Sequence, residues 1–149
     1  PTILPILSTV LPTLQDAWLL GFTDSEGCFT VSLLSNSVAF RIRFILSQKW
    51  NENRVVLLHI ISLLGVGDLV AHSKVLNWEI RVSGLRNLGP VFAYFNANAL
   101  KTNKADSYKL FVELYDRLRL KHHLDPVLRA ELKAMAAKVN PGYQYKSGK

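Results

Sequence analysis

The chain has 149 residues, 49% hydrophobic and 19% charged, yet it carries 18 Lys and Arg against 11 Asp and Glu, a net charge of +7. That length fits one domain able to bury roughly 68–70% of its unfolded surface, and the apolar content excludes an intrinsically disordered chain. A single cysteine, Cys28, cannot form an internal disulfide, which fits a reducing compartment and excludes both a disulfide scaffold and a cysteine-based zinc site.

The N-terminal stretch Pro1–Leu14 is apolar, lacks Lys and Arg and is broken by Pro5 and Pro12, so it has the character of neither a signal nor a transit peptide. With no initiator Met, residues 1–12 read as an extension or linker, and the chain as a piece of something longer. Thr13 caps a first helix that carries Asp16 at its third position, runs through Trp18 and Phe22 and should stop at Gly27. Cys28–Leu33 then alternates polar and apolar residues as a half-wet strand does, and Ser35-Asn36-Ser37 makes a turn. In Phe40–Leu46, Arg41 and Arg43 share a face with Ile45, while Ile42, Phe44 and Leu46 take the other, the period of a second strand.

Asn51 or Asn53 can cap a helix running to Leu64 and ended by Gly65; its sequence is apolar nearly all round, which predicts deep burial and makes His59 a core histidine. No apolar run reaches the roughly 20 residues of a bilayer span, so no membrane is expected as a partner. Gly67–Ser73 and Val75–Val82 form a hairpin, and short helical pieces around Leu85–Phe95 are broken by Gly89-Pro90. A stronger helix spans about Asn103–Leu120. Asp125-Pro126 caps a last one, with Leu128, Leu132, Met135, Ala136 and Val139 on one face. The order α-β-β-α-β-β-α-α-α predicts an α+β fold: an antiparallel four-stranded sheet with helices on one face and the other face free.

The charge is uneven. Lys101–Lys149 holds 11 Lys and Arg against 5 Asp and Glu, whereas residues 1–100 hold 7 and 6. A basic surface suggests a polyanionic partner, and the apolar excess suggests a buried interface.

The first helix contains the least ordinary pattern. Ala17, Gly21 and Ser25 form a stripe of small residues at i, i+4 and i+8, which lets two helix backbones approach closely. The helix ends in Asp24-Ser25-Glu26-Gly27, two carboxylates at the terminus where the macrodipole already favours cations. A divalent metal with oxygen ligands would compensate that charge; taken alone, however, such a tetrapeptide is ordinarily a solvated acidic turn. His122-His123 is a poor metal pair, since adjacent helical residues point about 100° apart, and fits a basic edge better.

Leu19-Leu20-Gly21-Phe22-Thr23-Asp24-Ser25-Glu26-Gly27 resembles the nine-residue signature of the LAGLIDADG homing endonucleases. The likeness extends through Ser47-Gln48-Lys49 after the second strand, Leu64-Gly65-Val66-Gly67 before the hairpin and Leu100-Lys101-Thr102-Asn103-Lys104 opening the long helix, so it covers about residues 13–120. Leu20 departs from the family, which often has a small residue there. The resemblance implies an αββαββα half-domain with a saddle-shaped sheet, its core at 13–121 and a basic C-terminal helix and tail at 122–149.

It also implies a function: sequence-specific cleavage of double-stranded DNA by metal-dependent phosphodiester hydrolysis, as in intron homing. Glu26 would bind the catalytic Mg²⁺, with Mn²⁺ or Ca²⁺ as substitutes and the Ser25 carbonyl close by; Asp24 would only finish the helix. Gln48 matches a residue that positions water near the scissile phosphate. Lys104 matches a lysine that steadies the developing charge, with Lys101 the weaker candidate. Such chemistry needs metal and positive charge rather than a protein nucleophile.

If the free sheet face lies on DNA, alternation turns Thr30, Ser32, Leu34, Arg41, Arg43, Asp68, Val70, His72, Asn77, Glu79 and Arg81 outward, with Lys74 at the turn suited to phosphates. One motif supplies one Glu26, and cutting two strands needs a second site. The partner is therefore itself, as a homodimer over a pseudo-palindromic target, or a second half-domain, with Ala17, Gly21 and Ser25 at the interface. Alternatives on the same fold are a maturase bound to intron RNA and a DNA-binding module that does not cut. The family's setting implies a mitochondrial or chloroplast location.

Overall fold

The computed structural model describes residues 18–35, 37–49, 54–71 and 77–140, apart from the side chains of Ser25 and Lys49. In chain order these form α1 (Trp18–Glu26), β1 (Gly27–Leu33), β2 (Phe40–Lys49), α2 (Arg54–Leu64), β3 (Asp68–Ala71), β4 (Asn77–Ser83), α3 (Gly89–Ala97), α4 (Lys104–Arg119) and α5 (Pro126–Val139), with single 3-10 turns at Leu85–Asn87 and His122–Leu124. The Thr13 cap, Ala17, His72, Lys74, the 1–12 extension and the end of the C-terminal tail lie outside the described residues. Gly89-Pro90 opens α3 rather than breaking it, because proline at the first helical turn has no missing bond to make.

The four strands form one antiparallel sheet in the order β1-β2-β4-β3. Strict alternation sorts its faces. Phe29, Val31 and Leu33 on β1, Ile42, Phe44 and Leu46 on β2, and Ile80 and Val82 on β4 are all buried. The helices close over this face, contributing Leu57 and Ile60 from α2, Tyr94 and Phe95 from α3, Phe111 and Leu114 from α4, and Leu132 and Val139 from α5. Phe29 sits at the centre, its ring 4.9 Å from that of Phe111 and 5.3 Å from that of Phe44.

Two expectations change. The α2 helix is not deeply buried: only Leu57, Ile60 and Leu64 are, whereas Val55 is 64% and Leu58 48% exposed. A helix on the outside of a two-layer domain can bury one stripe, whatever its other face is made of. His59 is accordingly half-buried rather than a core residue. Strand β2 also runs three residues further than alternation suggests, because Ser47, Gln48 and Lys49 pair with Glu79, Trp78 and Asn77. Gly65 and Gly67 adopt φ of 77° and 120°, and β3 starts only after them.

The sheet ends on one side at β1, and α5 runs along that strand. Asp125 caps α5, its carboxylate accepting from the Val127 and Leu128 amides at 2.8 and 3.1 Å. One turn on, the Arg129 guanidinium donates to the carbonyls of Leu34 (2.7 Å), Ala39 (2.9 Å), Val38 (3.2 Å) and His123 (3.3 Å), pinning the β1–β2 turn. At the far end, Asn140 Nδ2 donates to Cys28 Sγ at 2.8 Å, so α5 is antiparallel to β1 and tied to it at both ends. Among the described residues, no helix is long and apolar enough to cross a membrane.

Candidate active site and nucleic-acid interface

The motif helix passes into β1 without a loop, Glu26 being the last helical residue and Gly27 the first of the strand. That junction requires glycine for space rather than for φ: a Cβ on Gly27 would lie 2.6 Å from Thr23 Cγ2 and 2.8 Å from the Thr23 carbonyl oxygen. The Thr23 side chain is wholly buried, so it has little room to yield. Glu26 projects from this fixed corner and is exposed.

Asp24 does more than finish the helix. Its carboxylate accepts from the Lys101 amide (3.0 Å), the Thr102 amide (3.1 Å) and the Thr102 hydroxyl (2.7 Å), and so binds the segment that leads into α4. Thr102 Oγ1 in turn accepts from the Lys104 amide at 3.2 Å, supplying the cap that Asn103's side chain does not. Partial burial pushes the Asp24 carboxyl up, but the Thr102 hydroxyl and amide, the Lys101 amide and the Lys104 charge outweigh it, and the group lies below the usual carboxylate value. The bracket has a chemical result. Lys104 Nζ donates to the Asp24 carbonyl at 3.2 Å, which sets an ammonium against the negative end of the helix beside Glu26. Lys101 contributes its backbone instead, with an exposed side chain.

Gln48 lies inside β2, not after it, and shares the phase of Leu46 rather than that of Arg43. Its register is two residues beyond Leu46, the partner of Gly27, or roughly 7 Å of strand from the helix–strand corner. Asp24 and Lys104 are in contact through the carbonyl, whereas Gln48 shares with them only its place near the same end of the sheet. For Ser25 the structure places the backbone in the last turn of α1. Gly21 is exposed, with no atom beyond its chain neighbours and its own helix backbone within 4 Å of a Cβ built on it, and Trp18, one turn earlier, is 37% exposed.

On the open sheet face Thr30 stands opposite Arg43 and Ser32 opposite Arg41, while Arg43 also faces Ser83 across β4. Arg41 and Asp68 are exposed; Thr30, Ser32, Arg43, Val70, Asn77 and Arg81 are half-buried. Phe40, Arg41, Ile42, Arg43, Ser83 and Gly84 line a shallow hollow of about 250 Å³ at one end of this face. Two expectations need correction. Leu34 falls just past the end of β1, in the turn, where its carbonyl is held by Arg129. Glu79 has the outward phase but is only 6% exposed, and it pairs with the Nε of Arg81. A carboxylate this enclosed is costly unless a cation holds it, and alternation gives a residue's face without its depth.

The histidine pair is not an edge. His123 is buried with its ring 4.8 Å from Phe40, and His122 Nδ1 accepts from Arg117 Nε at 2.6 Å. Among the described residues no three of His, Cys, Asp and Glu gather into a complete metal site. Burial pushes the Cys28 thiol up, against a nucleophilic role.

A sheet with one helical layer and an acidic helix end aimed at its margin defines the architecture of a homing-endonuclease half-domain. The family model described as LAGLIDADG endonuclease matches residues 19–115, and the chain belongs to that family. It is 37% identical over 123 residues to a probable intron-encoded endonuclease 4 of Neurospora crassa, a match covering 80% of this chain and 22% of that protein. The homing endonuclease I-TnaI superposes with a TM-score of 0.79 at 24% identity, over 89% of this chain and 92% of its own. The meganuclease I-CpaMI, solved bound to uncleaved DNA, gives 0.76 at 27% identity over 85% of this chain and 44% of its own. The chain thus spans under a quarter of the Neurospora relative.

Proposed function

We propose that the chain is one half of a sequence-specific endonuclease that hydrolyses double-stranded DNA with a divalent metal, working as a pair with a second copy or a second half-domain. The observation that carries this reading is the corner at Glu26: an exposed acid on a rigid helix–strand junction, with the Lys104 ammonium on the adjoining Asp24 carbonyl at 3.2 Å. The DNA-bound relative and the intron-encoded one support it, and an organellar intron as the setting of the gene is part of the proposal.

The donor set fits a hard cation. Glu26 and the Ser25 carbonyl are oxygen ligands of the kind that Mg²⁺, Mn²⁺ and Ca²⁺ take, and a partial set from each of two half-domains would complete one another. When bound, the ion supplies Lewis acidity toward the phosphodiester. The remaining tasks fall to the chain. Lys104, held by the Asp24–Thr102 bracket, keeps positive charge where negative charge develops on the phosphate. Gln48, at the adjoining end of β2, offers an amide to orient water. Thr30, Ser32, Arg41, Arg43 and Arg81 meet base edges and phosphates on the open face.

Pairing is supported by the open stretch of α1 at Trp18 and Gly21, where a second motif helix can pack closely, and by a chain that matches nearly all of I-TnaI but less than half of I-CpaMI. The test is nicking of a supercoiled plasmid library in Mg²⁺ by the wild-type chain and by Glu26→Gln. Cutting by the first and not the second is expected; a wild type that binds duplex but never nicks it would sink the nuclease reading. Light scattering with bound target reads the pairing, and a lone half-domain on DNA would overturn it.

A further inference from the structure

We propose that Glu79 is a positioning residue which presents Arg81 to one guanine of the target, so that the pair, not Glu79 itself, sets the base preference there. The inference rests on the reading of this sheet face as a DNA-recognition surface.

Glu79 and Arg81 lie two residues apart on β4, an interior strand, and therefore share the outward phase of Arg43 and Thr30. The side chain of Glu79 is 8% exposed and that of Arg81 33%, so the acid lies beneath the base it holds. Glu79 Oε2 takes the Arg81 Nε–H. A guanidinium engaged through Nε keeps its two terminal nitrogens as a parallel pair of donors, the geometry that matches guanine O6 and N7. Ile45, opposite Arg81 on β2, is buried and apolar, so on that side the guanidinium meets no competing acceptor. The headgroup is thus constrained before any DNA arrives, which reduces the ordering that binding demands.

A phosphate is the other ligand an arginine could take, and the surroundings disfavour it. Asp68 stands opposite Arg81 on β3 and Glu79 lies two residues before it on β4, so two carboxylates border Arg81. That local charge repels a phosphate but leaves a neutral base edge, which only accepts hydrogen bonds, unopposed. Uniform backbone binding would call for the reverse arrangement.

The test is selection of bound duplexes from a randomised library by the wild-type chain, followed by binding to single base substitutions of the selected duplex, with thermal unfolding as the folding control. The expected result is a guanine whose replacement weakens wild-type binding by about 10- to 100-fold. Arg81→Ala should reduce that discrimination to under about 3-fold, and Glu79→Ala should weaken it at the same position and nowhere else. If Glu79→Ala does not fold, Glu79→Gln carries the test, with a several-fold weakening confined to that position expected. Loss spread evenly over all positions, a lower salt slope on Arg81→Ala with the base profile unchanged, or relaxation by Glu79→Ala at a different base would each overturn the proposal. A wild type that selects no sequence overturns the DNA-recognition reading as well, which separates the two failures.

Discussion

At the end of α1 and on the open sheet face an acid stands beside a base, but the labour is divided in opposite ways. Asp24 spends its carboxylate on backbone amides and a hydroxyl from a segment 77 and 78 residues away, which leaves Lys104 to the helix carbonyl and Glu26 exposed. Glu79 spends its carboxylate on the base itself, leaving only part of Arg81 to meet a ligand. In the proposed function, the first arrangement serves the chemistry and the second the recognition of bases. In both, the more enclosed acid serves as support, and a more exposed charged group stands next to it.

The contrast can be broken most severely at Lys104. Replacement by Met should lower the cleavage rate by about 10²–10³, the range for removing one preorganised charge, with duplex binding and base preference kept, as read by parallel nicking and binding assays. A variant that loses base preference instead would erase the distinction between the two regions. Next, Arg129→Leu strips donors from four carbonyls and should cost about 2–3 kcal/mol in urea unfolding, with faster exchange of the Leu34 and Ala39 amides. Gly27→Ala forces a methyl against the buried Thr23 and should cost about 2 kcal/mol, tilting Glu26 and lowering cleavage along with stability.

The smallest effect is expected at Asp24→Asn, about 1 kcal/mol once solvent screening of a partly exposed group is allowed for. Its sign with pH is fixed: the folded-state carboxyl lies below its ordinary value of 3.8, so its contribution is complete above that value and is lost as pH falls through the lowered one. Unfolding curves of wild type and variant should therefore differ near neutrality and converge in acid. A gap that widened on acidification would contradict the bracket described for Asp24.

Alternation made Thr30, Ser32, Arg41 and Arg43 legible from sequence, because the faces of a strand follow from a period of two, whatever lies on either side. The α5 cap at Asp125-Pro126 was legible for the same local reason. The roles of Asp24, Glu79 and Arg129 were not. Arg129 reaches carbonyls 90 to 95 residues away, and no spacing within a helix reports a partner at that separation. Nor could apolar character say how much of α2 is covered, since Leu58 differs from Leu57 only in the direction it faces.

The amino-acid sequence by itself determined the elements, the sheet's two faces, the basic excess and the motif that ends in Glu26, all of which arise from short-range periodicity and local composition. Only the tertiary structure decided which charges are available. Asp24, Glu26 and Glu79 are alike as carboxylates, and they part company through the depth and the partners that packing of distant segments gives them, because the energy of a charge depends on what surrounds it rather than on its neighbours in the chain.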